Sequence, residues 1–142
     1  MTRRKASRPD ELFLSHSSRD RAFVSKLATT LRSHGLNVWY SETNLVGAQQ
    51  WHDEIGRALG RCNWFVAVLS KDSVKSRWVK RELLYALRSA RFENRIVPLM
   101  LKPCEPELLS WTLPDFQSVD FTGGFDRGCG QLLRVWGLAY QR

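Results

Sequence analysis

The stretch Trp64–Leu69 reads WFVAVL and is apolar at every position. A strand of this composition is buried on both faces, which is typical of a parallel sheet covered by helices on each side. Other short apolar runs occur before and after it, and longer amphipathic segments separate them. This alternation predicts strand–helix repeats around one parallel sheet.

Five predicted strands and the helices between them make up one α/β domain. The strands are predicted at residues 11–15, 36–40, 64–69, 95–101 and 118–121, and four helices in the segments 17–34, 50–61, 77–92 and after residue 124. Pro98 cannot donate a backbone hydrogen bond, so we expect it where no donor is needed or at a bulge. The pattern predicts a flavodoxin-like three-layer sandwich, with a five-stranded parallel sheet of order 2-1-3-4-5 and helices on both faces.

Length and composition fit a single globular domain. The chain has 142 residues, of which 43% are hydrophobic and 25% charged, and this length is close to the commonest domain size. Half of the net charge of +8 comes from Arg3, Arg4, Lys5 and Arg8. We therefore expect residues 1–9 to form a basic, disordered arm and residues 10–142 to fold, without nucleic acid as a partner.

Cysteine spacing, histidine spacing and hydropathy exclude several classes of protein. The three cysteines are odd in number and widely spaced, and neither they nor the histidines have the spacing of metal ligands. No apolar run approaches the roughly 20 residues of a membrane span, and no apolar stretch follows the basic N-terminus. We expect reduced cysteines, no metal, no membrane association and a cytoplasmic location.

The predicted strand order also predicts where a ligand should bind. In open parallel sheets, ligands bind beyond the carboxyl ends of the strands, where the strand order reverses. For the order 2-1-3-4-5 this point lies between the first and third strands. The loops at residues 15–20 and 70–76 should line it, and the second loop leads into the helix that contains Glu82.

Glu82 differs from the other charged residues of its helix. Its neighbours three and four positions away are not basic: Trp78, Val79, Tyr85 and Ala86. A carboxylate beside aromatic residues is either partly desolvated, which raises its pKa, or paired with a group from another element. The local pattern leaves open a functional carboxylate and a boundary glutamate bonded to arginine or backbone elsewhere.

Polar and aromatic residues near the predicted crevice are further candidates. Ser15, His16 and the two serines that follow offer hydroxyls and helix-start amides that could hold a phosphate, or could simply cap a helix. Trp39, Tyr40 and Trp78 could stack on a flat ring or belong to the core. The chain has no GxGxxG, GxxxxGK[ST] or GxSxG motif, so Rossmann-type dinucleotide binding, P-loop hydrolysis and a serine hydrolase are disfavoured.

Five segments in the same order and spacing resemble the Toll/interleukin-1 receptor (TIR) domain. They are 12–20 (LFLSHSSRD), 35–47 (GLNVWYSETNLVG), 62–71 (CNWFVAVLSK), 78–83 (WVKREL) and 96–99 (IVPL). They correspond to the first strand, the second strand with the BB loop, the third strand, the Trp-x-x-x-Glu helix motif and the fourth strand of that family. The resemblance extends from about residue 10 to the end of the chain.

The resemblance implies an enzyme that cleaves NAD+. Many TIR domains break the nicotinamide–ribose bond with a glutamate at the position of Glu82 and an aromatic residue one turn earlier, at Trp78. It implies a NAD+ glycohydrolase or cyclase that uses NAD+ as substrate and needs no cofactor. Glu82 is the expected catalytic residue, and the expected substrate-binding residues are Trp78, Ser15, His16, Ser17, Tyr40 and Glu42. The loop departs from the family at Ser41, where many active relatives carry an acidic residue beside Glu42.

The resemblance also implies other TIR domains as partners. Some family members act only as interaction scaffolds, and these commonly lack the glutamate. The residues of the expected interaction loop are Ser41, Asn44, Leu45, Val46 and Gly47. Leu45 and Val46 are expected to be an exposed apolar pair within this polar loop. We expect a homo-oligomer or filament on activation, in immune, defence or virulence signalling, with a non-catalytic scaffold as the alternative. A receiver-like flavodoxin fold is a third alternative. Such a fold is expected to carry paired acids after the first strand, where this chain has Ser15 and His16.

Overall fold

The computed structural model of the chain describes residues 7–41 and 48–142. Within these ranges five strands form one parallel sheet. In chain order they are β1 (Leu12–Ser15), β2 (Val38–Trp39), β3 (Trp64–Leu69), β4 (Ile96–Met100) and β5 (Val119–Asp120). The spatial order is β2-β1-β3-β4-β5, and all four pairs are parallel. The predicted flavodoxin-like sheet is thus confirmed.

Four helices of more than ten residues connect and cover the strands in the described ranges. They are α1 (Arg21–Ser33), α2 (Ala48–Arg61), α3 (Arg77–Arg88) and α4 (Phe125–Val135). Gly35 follows α1 with a φ of +85°, a conformation that glycine adopts without steric cost. The helix therefore ends just before Gly35, within the predicted segment 17–34.

The predicted third helix, 77–92, is wrong in its last four residues. Ser89 has an extended backbone, with φ −93° and ψ 124°, and ends α3 after Arg88. A separate 3₁₀ turn, Ala90–Phe92, follows it. This turn brings the fully buried ring of Phe92 against Phe65, with ring centroids 6.0 Å apart. The helix ends here because burial of the Phe92 side chain against Phe65 stabilises the fold more than further helical hydrogen bonds would.

The two edge strands are shorter than predicted because each pairs on one side only. β2 contributes only Val38 and Trp39, which pair with Leu12 and Phe13 of β1. β5 likewise contributes two residues, which pair with the end of β4.

Side chains of the sheet alternate between two hydrophobic clusters. On one face Leu12 and Leu14 of β1 pack with α1 and α4, whereas Phe13 faces the opposite cluster with α2 and α3. All six residues of β3 are buried, which confirms the prediction of a strand covered on both faces. Ser15 comes next in this alternation and is expected on the face of Phe13.

Pro98 lies within β4, opposite Ala67 of β3. The amide of Leu101 donates to Leu69 on β3, so by alternation the amide position of Pro98 faces β5. Pairing with β5 begins only at Leu99. Pro98 therefore stands where no donor is needed, as predicted.

The remaining expectations concern termini, thiols and membranes. Of the predicted arm, residues 1–6 lie outside the described residues, and Ser7 and Arg8 are exposed whereas Pro9 is buried. Cys62, Cys104 and Cys129 are unpaired thiols. In residues 7–41 and 48–142 no helix combines the length and apolar character that crossing a membrane requires.

Candidate active site

The buried polar side chains of the described residues gather at one edge of the sheet. They end β1, follow β1 or β3, or lie on α3: Ser15, Ser17, Asp20, Ser70, Ser73 and Glu82. Burying a polar group costs free energy unless it forms hydrogen bonds. This concentration at the carboxyl ends of β1 and β3 coincides with the crevice that the strand order predicts.

Glu82 is a buried carboxylate, with 8% of its surface exposed. It lies on α3 next to the stripe of Val79, Leu83 and Ala86, which packs under the sheet. The hydroxyl of Ser15 donates a hydrogen bond to Oε1 of Glu82 at 2.6 Å. The carboxylate is therefore held against the last residue of β1.

Burial raises the pKa of Glu82 to about 7, and the hydrogen bond from Ser15 opposes part of this rise. Among the described residues, no lysine or arginine forms an ion pair with it. Of the two alternatives left open by the sequence, the structure favours desolvation, with a hydroxyl as the partner. A carboxyl group with this pKa changes its charge near neutral pH, which suits a functional group.

His16 and Ser17 directly follow Ser15 in the loop after β1. The hydroxyl of Ser17 accepts a hydrogen bond from the amide of Arg19 at 3.3 Å and so caps a 3₁₀ turn, Ser18–Asp20. His16 is half-buried, and its ring meets that of Tyr40 edge-on at 6.0 Å. Burial lowers the pKa of His16, so its imidazole is neutral at pH 7.

A second buried carboxylate joins the two crevice loops. The hydroxyl of Ser70 donates to Oδ2 of Asp20 at 2.5 Å, and the amide of Ser73 donates to the Ser70 hydroxyl at 3.1 Å. The sequence analysis places Asp20 in the crevice loop 15–20 but does not predict this contact. The available signal was positional: Asp20 and Ser70 follow the two strands that flank the predicted crevice.

Trp78 lies one helical turn before Glu82 and exposes 36% of its surface. The guanidinium of Arg81 lies 5.4 Å from its ring centre, and the ring of His52 on α2 lies 6.4 Å away. This indole is therefore positioned at the surface beside the buried carboxylate, where a flat ligand can stack on it.

The other predicted aromatic residues lie deeper. Tyr40 is 9% exposed, and the guanidinium of Arg32 lies 5.6 Å from its ring. Trp39 stacks on Phe13 with ring centroids 4.9 Å apart. Trp39 thus belongs to the packing of the domain, and Tyr40 reaches the crevice loop through His16.

Part of the predicted site lies outside the described residues. This holds for Glu42 and for the interaction-loop residues Asn44, Leu45, Val46 and Gly47. Ser41 is described and is half-buried. The roles assigned to these residues stay predictions. No group of three or more histidine, cysteine or acidic side chains with metal-site geometry occurs in the part of the chain that the structure describes.

Solved structures share this architecture. The TIR domain of the Toll-related receptor TRR-2 from Hydra magnipapillata matches with a TM-score of 0.64 at 18% identity, covering 87% of each chain. The TIR domains of the activated Roq1 resistosome match with a TM-score of 0.67 at 20% identity, covering 87% of this chain and 97% of that one. At these identities the likeness shows the fold alone.

Sequence relatives are closer. The NAD(+) hydrolase PdTIR of Paracoccus denitrificans is 35% identical over 107 residues, or 73% of this chain and 36% of the relative. The 2' cyclic ADP-D-ribose synthase AbTIR of Acinetobacter baumannii is 34% identical over 105 residues, or 72% of this chain and 39% of the relative. The chain thus spans less than two fifths of the length of these curated relatives. The family model described as "TIR domain" matches residues 12–133, and this chain belongs to the TIR domain family.

Proposed function

We propose that this TIR domain cleaves the bond between nicotinamide and ribose in NAD+, with Glu82 as the catalytic carboxylate. The observation that carries the proposal is the buried carboxyl group of Glu82 at the carboxyl ends of β1 and β3, hydrogen-bonded to Ser15. Two relatives that cover more than two thirds of this chain are named for NAD+ hydrolysis and for cyclic ADP-ribose synthesis. NAD+ is the substrate in this proposal, and no cofactor takes part.

The reaction asks for charge stabilisation more than for acid catalysis. Nicotinamide leaves the ribose as a neutral molecule because its ring is cationic while bound. The ribose then develops oxocarbenium character, which an adjacent carboxylate stabilises. A carboxyl group with a pKa of about 7 is readily ionised beside the cationic ring, because an opposite charge lowers its pKa.

The surrounding residues suit the rest of the dinucleotide. The indole of Trp78 offers a stacking surface one turn before the carboxylate. The loop with Ser17 follows β1 at the predicted crevice. Arg21 directly follows this loop, and its positive charge contributes to the lowered pKa of His16. A guanidinium at this position suits a diphosphate.

Incubation of the purified domain with NAD+ tests the proposal. At high protein concentration, chromatography with mass detection should reveal free nicotinamide together with ADP-ribose or a cyclic form. Water as the acceptor gives the linear product, and a hydroxyl of the same molecule gives the cyclic one. Glu82→Gln should abolish release, whereas Glu93→Gln, at an exposed glutamate just beyond α3, should not. Inert wild-type protein under assembly-promoting conditions would exclude the enzyme.

Association with other TIR domains is the second function that we propose, with a non-catalytic scaffold as its limiting case. One structural neighbour is a set of TIR domains in an activated resistosome. In this chain, the segment between β4 and β5 exposes 82% of Trp111 and 50% of Leu108, and exposed apolar side chains of this size are common at interfaces. A scaffold would keep its signalling output in Glu82→Gln and lose it when residues 41–47 are changed.

The setting follows from these two activities. We propose a cytoplasmic signalling role in immunity, defence or virulence, in which assembly activates NAD+ cleavage. Rates of nicotinamide release over a range of protein concentrations test the link, and light scattering with and without NAD+ measures assembly in the same samples. If assembly is required, release should rise more steeply than protein concentration. Release that is strictly proportional to protein concentration would argue against it.

A further inference from the structure

The end of β1 brings Ser15 to the same face of the sheet as α3. Leu12 and Leu14 belong to the cluster with α1 and α4, and Phe13 belongs to the cluster with α2 and α3. Side chains alternate along a strand, so Ser15 follows Phe13 towards α3. The 2.6 Å contact between its hydroxyl and Oε1 of Glu82 agrees with this direction.

Ser15 is too deeply buried to act as an ordinary surface contact for a ligand. Only 1% of its surface is exposed, compared with 8% for Glu82. Its register partner on β3 is Ala67, a small and fully buried residue on the same face. Two small residues on neighbouring strands leave space above the sheet for one carboxylate.

Among residues 7–41 and 48–142, no charged side chain forms an ion pair with Glu82 that could hold its carboxylate in place of Ser15. β3 is entirely apolar, and β1 has no charged residue. Lys75, on the 3₁₀ turn Ser73–Lys75 that precedes α3, is exposed. The ring of His52 on α2 approaches Trp78. Of the described residues, the one with a hydrogen bond to the carboxylate is thus a neutral hydroxyl.

We propose that Ser15 is the positioning residue of Glu82: its hydroxyl holds Oε1 and so turns the other carboxylate oxygen towards the ribose. The proposal rests on the proposed NAD+ cleavage. One oxygen fixed by a short bond from a rigid strand reduces the rotation of the carboxylate. Ser15 acts through Glu82 and does not itself touch the substrate, in contrast to the direct binding role that the sequence suggests.

Replacement of the hydroxyl tests this arrangement. Ser15→Ala removes the donor, and Ser15→Thr keeps it at a strand position that accepts a β-branched residue. Ser89→Ala is the matched control, because it removes a serine hydrogen bond at the far end of the same helix. Two readouts are needed: kcat and KM for nicotinamide release, and the carboxyl titration of ¹³C-labelled Glu82 in protein without NAD+.

For Ser15→Ala we expect kcat to fall about 10- to 100-fold with little change in KM. The pKa of Glu82 should rise further, because the hydrogen bond from Ser15 stabilises the charged form and is absent in this variant. Ser15→Thr should restore both values, and Ser89→Ala should change neither. If Ser15→Ala does not fold, Ser15→Cys, a much weaker donor, takes its place.

The outcomes separate this inference from the proposed function. Inactive wild-type protein refutes NAD+ cleavage and the role of Ser15 within it. With active wild-type protein, unchanged kcat in Ser15→Ala refutes the inference alone. A fall in kcat without any change in the titration of Glu82 also refutes it, because Ser15 would then act elsewhere.

Discussion

Ser70 and Asp20 are 50 residues apart in sequence and are joined by a 2.5 Å hydrogen bond between the two crevice loops. Both side chains are buried, with 1% and 7% of their surface exposed. The amide of Ser73 completes the arrangement by donating to the Ser70 hydroxyl. The loops that follow β1 and β3 at the predicted crevice are therefore joined by a buried polar contact.

Ser70→Ala should lower the free energy of unfolding by about 1–3 kcal/mol, because it leaves the buried Asp20 carboxylate without this donor. Urea denaturation followed by circular dichroism measures the change. Ser33→Ala is the control: Ser33 is exposed, and its hydroxyl contacts the carbonyl of Thr30 and the ring of His34, both at the same exposed helix end, so the expected change is within about 0.5 kcal/mol. Equal effects in the two variants would contradict a stabilising role of the hydrogen bond between Ser70 and Asp20.

Two glycines of α4 should respond to alanine in opposite directions. A Cβ at Gly128 would lie 2.4 Å from two ring carbons of Phe121, whereas one at Gly130 would meet nothing within 4 Å. Alanine normally stabilises a helix by up to about 1 kcal/mol relative to glycine, so Gly130→Ala should raise the melting temperature. Gly128→Ala should lower it, because the buried Phe121 ring must move. A higher melting temperature for both variants would contradict the close approach.

The stability of the domain should fall as Glu82 ionises. Its pKa is raised from 4.5 to about 7 in the folded state, so the folded protein holds a proton that the unfolded chain has released. The favourable contribution is complete below pH 4.5 and is lost by about pH 7, a loss of about 3 kcal/mol. The glutamine in Glu82→Gln does not titrate. The free energy of unfolding of this variant, measured from pH 4 to 8, should therefore increase relative to that of wild type as pH rises. A constant difference would contradict the assignment.

Much of this fold is predictable because its signals are local. The strand predicted at Trp64–Leu69 (WFVAVL) has the same bounds as β3, because a short, fully apolar run between polar segments is typical of a strand buried on both faces. The end of α3 was not predictable, because residues after Arg88 remain compatible with a helix. What ends the helix there is the packing of Phe92 against Phe65, a contact between residues distant in sequence.

The site was predictable in place but not in its contacts. Strand order located the crevice, and the lack of basic neighbours singled out Glu82. The partner, Ser15, lies 67 residues away, and no periodicity links the two. The contact between Asp20 and Ser70 was missed for the same reason, because it forms only when two separate loops meet.

The pH dependence of NAD+ cleavage should follow the ionisation of Glu82. If the ionised carboxylate stabilises the developing ribose cation, kcat/KM rises as pH increases through about 7 and then levels off. The pKa of His16 is lowered from 6.5 by burial, so its titration falls at lower pH and can be distinguished. Initial rates of nicotinamide release between pH 5.5 and 9 test this. A profile that falls across this range would contradict a catalytic carboxylate.

Trp78 should contribute to substrate binding more than to stability. Trp78 is 36% exposed, so Trp78→Ala leaves most of the core intact, but it removes a stacking surface worth about 1–3 kcal/mol per base. We expect KM for NAD+ to rise about 5- to 100-fold, and Trp78→Phe to recover most of this loss. Tyr85→Ala is the matched control, because Tyr85 is an aromatic of similar exposure, 38%, on the same helix. An equal rise in KM for both alanine variants would indicate a general effect of α3 instead of stacking by Trp78.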